Sequence, residues 1–197
     1  MTFNITSIKH FLEPYRGVIQ FCVVLAACHF FWKYTVIGEE TGDVVTFFGW
    51  NISAPFIWMS KHVALAAHAI INFFGGEVQY LSNNILRFAN GQGVQIVWSC
   101  SGIKQAYIFT CIILFSRGSW KHKAWFIPAG VLVCFLINIV RIIILVVVIE
   151  NHQAAFKVLH ESVLKYIFYG IIFLMWVLWE EKIATVNLSS EETEKQT

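Results

Sequence analysis

The run from Ala124 to Ile149 carries a single charged side chain, Arg141, and no other stretch restricts the fold as much. It is long enough to cross a hydrocarbon core of ~30 Å, where only a helix or a closed barrel satisfies its own backbone. Three further runs, about residues 17–37, 101–116 and 163–179, share that character. With 57% hydrophobic and only 13% charged residues, the chain has too little polar side chain for an ordinary soluble domain. The pattern predicts an all-α integral membrane protein, a polytopic helical bundle of four spans, or six if residues 44–74 form a membrane hairpin. That stretch is mixed in polarity, broken at Pro55 and marked by Asn51, Ser60, Lys61, His62 and His68. An interfacial amphipathic helix is the other reading of it.

The segments follow from the same pattern. Residues 1–16 are a cytoplasmic N-terminus, 17–182 a single membrane-embedded domain, and 183–197 a polar, disordered cytoplasmic tail. Leu25-Ala26-Ala27-Cys28 has the look of a lipoprotein cleavage box, but the chain stays apolar through His29-Phe30-Phe31-Trp32, as an uncleaved anchor does. Between Gly75-Gly76 and Cys100, two β-prone runs, Asn83 to Phe88 and Val94 to Trp98, flank Ala89-Asn90-Gly91-Gln92-Gly93. This predicts a small extracytoplasmic hairpin.

Sidedness rests on Arg117-Gly118-Ser119-Trp120-Lys121-His122-Lys123, the densest basic connection, which the positive-inside tendency places in the cytoplasm. The span before it then starts outside, with Cys100 at the outer face. The next span travels outward, and Arg141, roughly 26 Å along it at 1.5 Å per residue, lies in the outer half. His160, in the connection that follows, is also outside. Residues 44–74 must then cross an even number of times, zero included.

Those three residues are a nucleophile, a base and an anion stabiliser. A thiolate is the reactive form of cysteine, and a helix N-terminus with neighbouring His⁺, Arg or Lys lowers its pKa. Cys100 is expected to be activated in this way. An arginine inside a span costs at least about 2.5 kcal/mol on insertion scales, so it faces a partner or a wet cavity and marks a functional site. Lys104, four residues from Cys100, is expected on the same helical face. His152 competes with His160 for the imidazole role but follows Arg141 closely. No Cys-x-x-Cys pair occurs, and His62 and His68 are too far apart to share a helical face, so neither metal nor cofactor is predicted. A net charge of +2 with scattered basic residues offers no footprint for nucleic acid.

At these positions the chain resembles the exosortase and archaeosortase family of membrane cysteine transpeptidases. The resemblance is carried by Cys100-Ser101-Gly102-Ile103 with Lys104 next, by Asn138 and Arg141 one turn apart, and by His160 before the closing span. It covers about residues 60 to 180, with Trp98-Ser99 and Gln105 as departures. It implies catalytic Cys100, Arg141 and His160, with Lys104, Asn138, Ser101 and Gly102 in support. It also implies cleavage of C-terminal sorting signals of membrane-anchored exported proteins through a thioester, at the extracytoplasmic face of the plasma membrane. The acceptor, an amine, a lipid or water, leaves no residue signature. The competing class is a non-catalytic scaffold or transporter component with Arg141 as its ligand.

Overall fold

The computed structural model describes residues 15–39, 44–151, 156 and 158–184. Helix α1 (Arg16–Thr35) runs into β1 (Val36–Gly38), β2 (Val45–Phe47) and β3 (Trp50–Asn51), an antiparallel sheet in that order. Helix α2 (Ser53–Phe73) precedes a second antiparallel sheet of β4 (Val78–Leu81), β5 (Ile85–Phe88) and β6 (Gly93–Gln95). A 3₁₀ turn, Trp98–Cys100, leads to α3 (Ile103–Phe115), α4 (Trp120–Asn151) and α5 (Leu164–Leu178), the last flanked by π-turns at Leu159–Val163 and Trp179–Ala184.

The chain is a helical membrane protein. Helices α1 and α2 and residues Trp120–Glu150 of α4 are long and apolar enough to cross a bilayer, and α3 is a shorter apolar helix. Helices α1, α3, α4 and α5 share one core built from Phe21, Ile108, Phe109, Cys134, Ile172 and Trp176 with their neighbours. Lipid is as apolar as leucine, so close fit rather than transfer from water must hold such helices together. Gly130 supplies that fit, since any Cβ there would collide with the Phe109 ring. At one end of this group the buried Lys123 ammonium donates to Leu114 O (2.8 Å) and Ser116 O (2.6 Å), closing α3. Trp176 Nε1 donates to Ser116 Oγ and Trp179 Nε1 to Arg117 O beside it.

Helix α2 packs elsewhere. Val63, Ala64, Ala67 and Ile71 meet Val78 and Leu86 of the second sheet, Ile96 just past it, and Ile142, Leu145 and Val146 of α4. At 32 residues α4 is about 48 Å long, so its first part serves the four-helix core and its last part, beyond Asn138, the core shared with α2 and the second sheet. The turn Trp98–Cys100 lies where the two cores meet, with Cys100 in the α2 core and Ile108 of the next helix in the other.

Several expectations need correcting. Pro55 does not break residues 44–74: it is the third residue of α2, where no helical partner awaits its missing N–H, and the helix runs unbroken to Phe73. Strands β2 and β3 occupy the start of that stretch. The first apolar run leaves the helix at Thr35, because Val36–Gly38 pairs with Val45–Phe47. The expected hairpin is β5–β6, turning at Gly91 (φ +84°), but β4 adds a third strand. The fold is therefore helical with two small sheets rather than all-α. Residues before Tyr15, the tail beyond Ala184 and His152 lie outside the described residues.

Candidate active site

Cys100 ends a 3₁₀ turn whose shape is set on three sides. Its own N–H donates to Val97 O (2.9 Å) and that of Ser101 to Trp98 O (3.1 Å). From α2, Ser60 Oγ reaches Val97 O (3.2 Å). Trp98 is pinned by its Nε1–H donating to Glu39 O (2.8 Å), with its ring against Phe56 and the backbone of Gly38, where a Cβ would sit 2.7 Å from the indole. From α4, Asn138 Nδ2 donates to Cys100 O (2.8 Å) while fully buried.

Gly102 joins the turn to α3. Its φ of +82° lies in the left-handed region, and a Cβ would stand 3.1 Å from Asn138 Cγ and Nδ2. Glycine is thus required both for the backbone reversal and for Asn138 to reach the Cys100 carbonyl. The Ser101 side chain, 2% exposed, accepts from Ile103 N (3.4 Å) inside the same junction.

Arg141 follows Asn138 by one turn of α4, so the two share a face. Its guanidinium acts electrostatically on Cys100 and on Tyr169 of α5, and its Nε is buried with no hydrogen-bond partner among the described residues. The side chain borders an apolar groove of about 270 Å³ between α4 and α5, walled by Val140, Leu164, Ile167 and Phe168 among others. His160 sits in the π-turn Leu159–Val163, its ring stacked on Phe156 with centroids 5.7 Å apart. Phe156 and Leu159 pack against the core that contains Cys100. The fold therefore brings Cys100, Ser101, Gly102, Asn138 and Arg141 together and sets the turn bearing His160 against the same core.

Two expectations fail on the geometry. Lys104 does not share a helical face with Cys100, because Gly102 in the left-handed conformation separates the 3₁₀ turn from α3 and cancels the four-residue register. Instead it lines, with His29, Lys33 and Lys165, a cavity that the Cys100 turn borders through Trp98, Ser99 and Ser101. Cys100, 6% exposed, is not an activated thiol at rest. Burial pushes its pKa up, and Arg141, the Val97 backbone and the Ser99 side chain draw it back only in part. Sequence reasoning also passed over Tyr169, which lies under the Arg141 charge with its hydroxyl 3.5 Å from His29 Nδ1. It reads as one more aromatic in an apolar helix, and only its polar tip hinted otherwise.

A family model described as the transmembrane exosortase matches residues 42–179, the stretch from just before β2 to the end of α5. The chain belongs to the transmembrane exosortase family. Comparison with curated proteins and with solved structures gave no match. The exosortase match takes in Cys100, Asn138, Arg141 and His160, while α1, which carries His29 and Lys33, precedes it.

Proposed function

We propose that this exosortase-family chain is a membrane cysteine transpeptidase acting on C-terminal sorting signals. The observation that carries the reading is the junction of the Cys100 turn with α4: Asn138 donates to the Cys100 carbonyl (2.8 Å), and Arg141 follows it by one turn on the same face of that helix. The Cys100 sulfur attacks the scissile carbonyl carbon as His160 takes the thiol proton. The developing oxyanion is met by the planar donor fork of Arg141. The C–N bond then breaks, His160 returns the proton to the leaving amine, and the acyl group stays on Cys100 as a thioester. An acceptor amine or water releases it and restores the thiol. A thiol held neutral by burial needs its base at the moment of attack, which is the task assigned to His160.

In this reading α1, α3, α4 and α5 cross the membrane, while α2 and both sheets form a cap on the extracytoplasmic side. Helix α2 is itself long and apolar enough to cross a bilayer, so this division rests on the even number of crossings that the proposed sidedness requires between α1 and α3. Both termini are then cytoplasmic. The substrate, a membrane-anchored exported protein, presents its signal at the Cys100 end of the bundle. The test is processing of such a substrate co-expressed with Cys100→Ala, His160→Ala and, as control, His152→Ala. Loss in the first two and retention in the third is expected. Full processing by Cys100→Ala turns the reading over to a scaffold or transporter component that uses Arg141 alone.

A further inference from the structure

Beside the Cys100 turn, on the side opened by α1 and α3, lies a cavity of about 380 Å³, within the range of small-molecule sites. Lys33 of α1, Lys104 of α3 and Lys165 of α5 line it together with His29, Trp98 and Ser99. The three lysines come from three different helices; Lys104 feels the charge of Lys165 and Lys33, and His29 that of all three, while Lys33 Nζ also lies 6.0 Å from the Tyr34 ring centroid. Among the described residues no carboxylate lines the space. Like charges gathered around one cavity repel and cost the fold stability unless an anion sits between them. Helix α3 adds to the field: it starts at this cavity with no acidic residue in its first turn, and a single long bond from Ile103 N to Ser101 Oγ meets one of its first N–H groups.

We propose that this cavity binds a phosphate-bearing group. A phosphate offers several oxygens and more than one negative charge to point-like ammonium donors from different directions, which a single carboxylate does not. The site lies at the level of the bundle where α1 ends and α3 begins, within reach of both a lipid headgroup and a soluble phosphorylated molecule. The inference goes beyond the proposed transpeptidase reading and does not depend on it, because the ammonium groups act on the ligand without Cys100 chemistry.

The test uses the purified full-length chain in a maltoside detergent, which carries no phosphate. It is titrated by calorimetry with inorganic phosphate and with a short-chain phosphatidic acid, against the matching neutral diacylglycerol as blank. Saturable binding of a phosphate-bearing probe is expected. It should weaken roughly tenfold for each of Lys33→Gln, Lys104→Gln and Lys165→Gln, about one charge-assisted contact apiece, and vanish in the triple variant. The Lys→Arg versions should retain it, as should Lys61→Gln, an exposed lysine of α2 away from the cavity. Cys100→Ala should bind as the parent does, which separates this result from failure of the catalytic reading. If inorganic phosphate binds and competes with the lipid, the source is a soluble phosphorylated molecule; if only the phosphatidic acid binds, it is a lipid headgroup. The proposal is overturned if neither probe binds, if the triple variant binds unchanged while retaining its helix content, or if Lys61→Gln weakens binding as much as the cavity variants. Binding of an acidic peptide with neither phosphate probe also overturns it and gives the cavity to polypeptide carboxylates.

Discussion

Replacing Gly102 by alanine tests how the Cys100 turn is held. Two costs combine. A non-glycine residue in the left-handed region costs roughly 1–2 kcal/mol, and here φ is +82°. The new methyl would also stand 3.1–3.2 Å from Asn138 Cγ, Nδ2 and Cβ, tighter than ordinary contact, in a fully buried place where an overpacked side chain costs about 1–3 kcal/mol. Gly102→Ala should therefore destabilise by roughly 2–5 kcal/mol. Gly91→Ala isolates the first cost, for Gly91 has φ +84° in the β5–β6 turn and open space where its Cβ would go. Equilibrium unfolding in mixed micelles, followed by circular dichroism, should rank Gly102→Ala clearly below Gly91→Ala. In a double-mutant cycle Gly102→Ala should cost less in the Asn138→Ala background than in the parent, because the contacts with Cγ and Nδ2 go with the amide. Equal losses at Gly102 and Gly91, or the same cost of Gly102→Ala in both backgrounds, would refute the close approach of Gly102 to Asn138.

Three further outcomes follow from the same geometry. Cys100 in the resting protein should alkylate slowly at neutral pH and accelerate only above the ordinary thiol range of about 8.5, and Arg141→Gln should push that rise higher still, since it removes the charge that favours the thiolate; fast labelling at pH 6 to 7 would contradict the burial. Because the folded-state pKa is raised, the neutral thiol's contribution to stability is complete below the unfolded value and is lost as pH climbs through the folded one, so thermal stability of the parent, relative to Cys100→Ala, should fall on the alkaline side. Reporter fusions at Ser119 should behave as cytoplasmic and Cys100 should be reached by an impermeant thiol reagent only from outside; an external signal at Ser119 would reverse the proposed sidedness.

Much of the helical frame was legible because a long apolar run has few alternatives. Ala124 to Ile149 lies wholly within α4, and Arg141 sits inside that helix as the apolar run implied. The β5–β6 turn was legible too, from Asn90-Gly91. The first sheet was not: Val36-Ile37 continues the hydropathy of α1, and only its pairing with Val45–Phe47 turns it into a strand. Pro55 misled because its effect depends on whether it falls in a first turn or an interior, which the neighbouring residues do not announce. The chemistry of Cys100 was the hardest to read. The polar step Ser99-Cys100-Ser101 suggests exposure, yet Ser60, Asn138 and, through Trp98, Glu39, each distant in sequence, hold it in a buried turn. Burial and charge then oppose each other, and only their placement in space decides which wins. The Lys104 cavity was hidden for the same reason, since α1, α3 and α5 each contribute one lysine.

The central claim is that Cys100 carries the substrate as an acyl-enzyme. Its most direct test is mass spectrometry of the peptide containing Cys100, from wild-type protein quenched with acid during turnover of a membrane-anchored substrate. The account predicts an added mass equal to the acyl fragment, confined to Cys100, released by hydroxylamine and accumulating further when the acceptor is withheld. Processing without any adduct on Cys100, or an adduct on another residue that persists in Cys100→Ala, would contradict it.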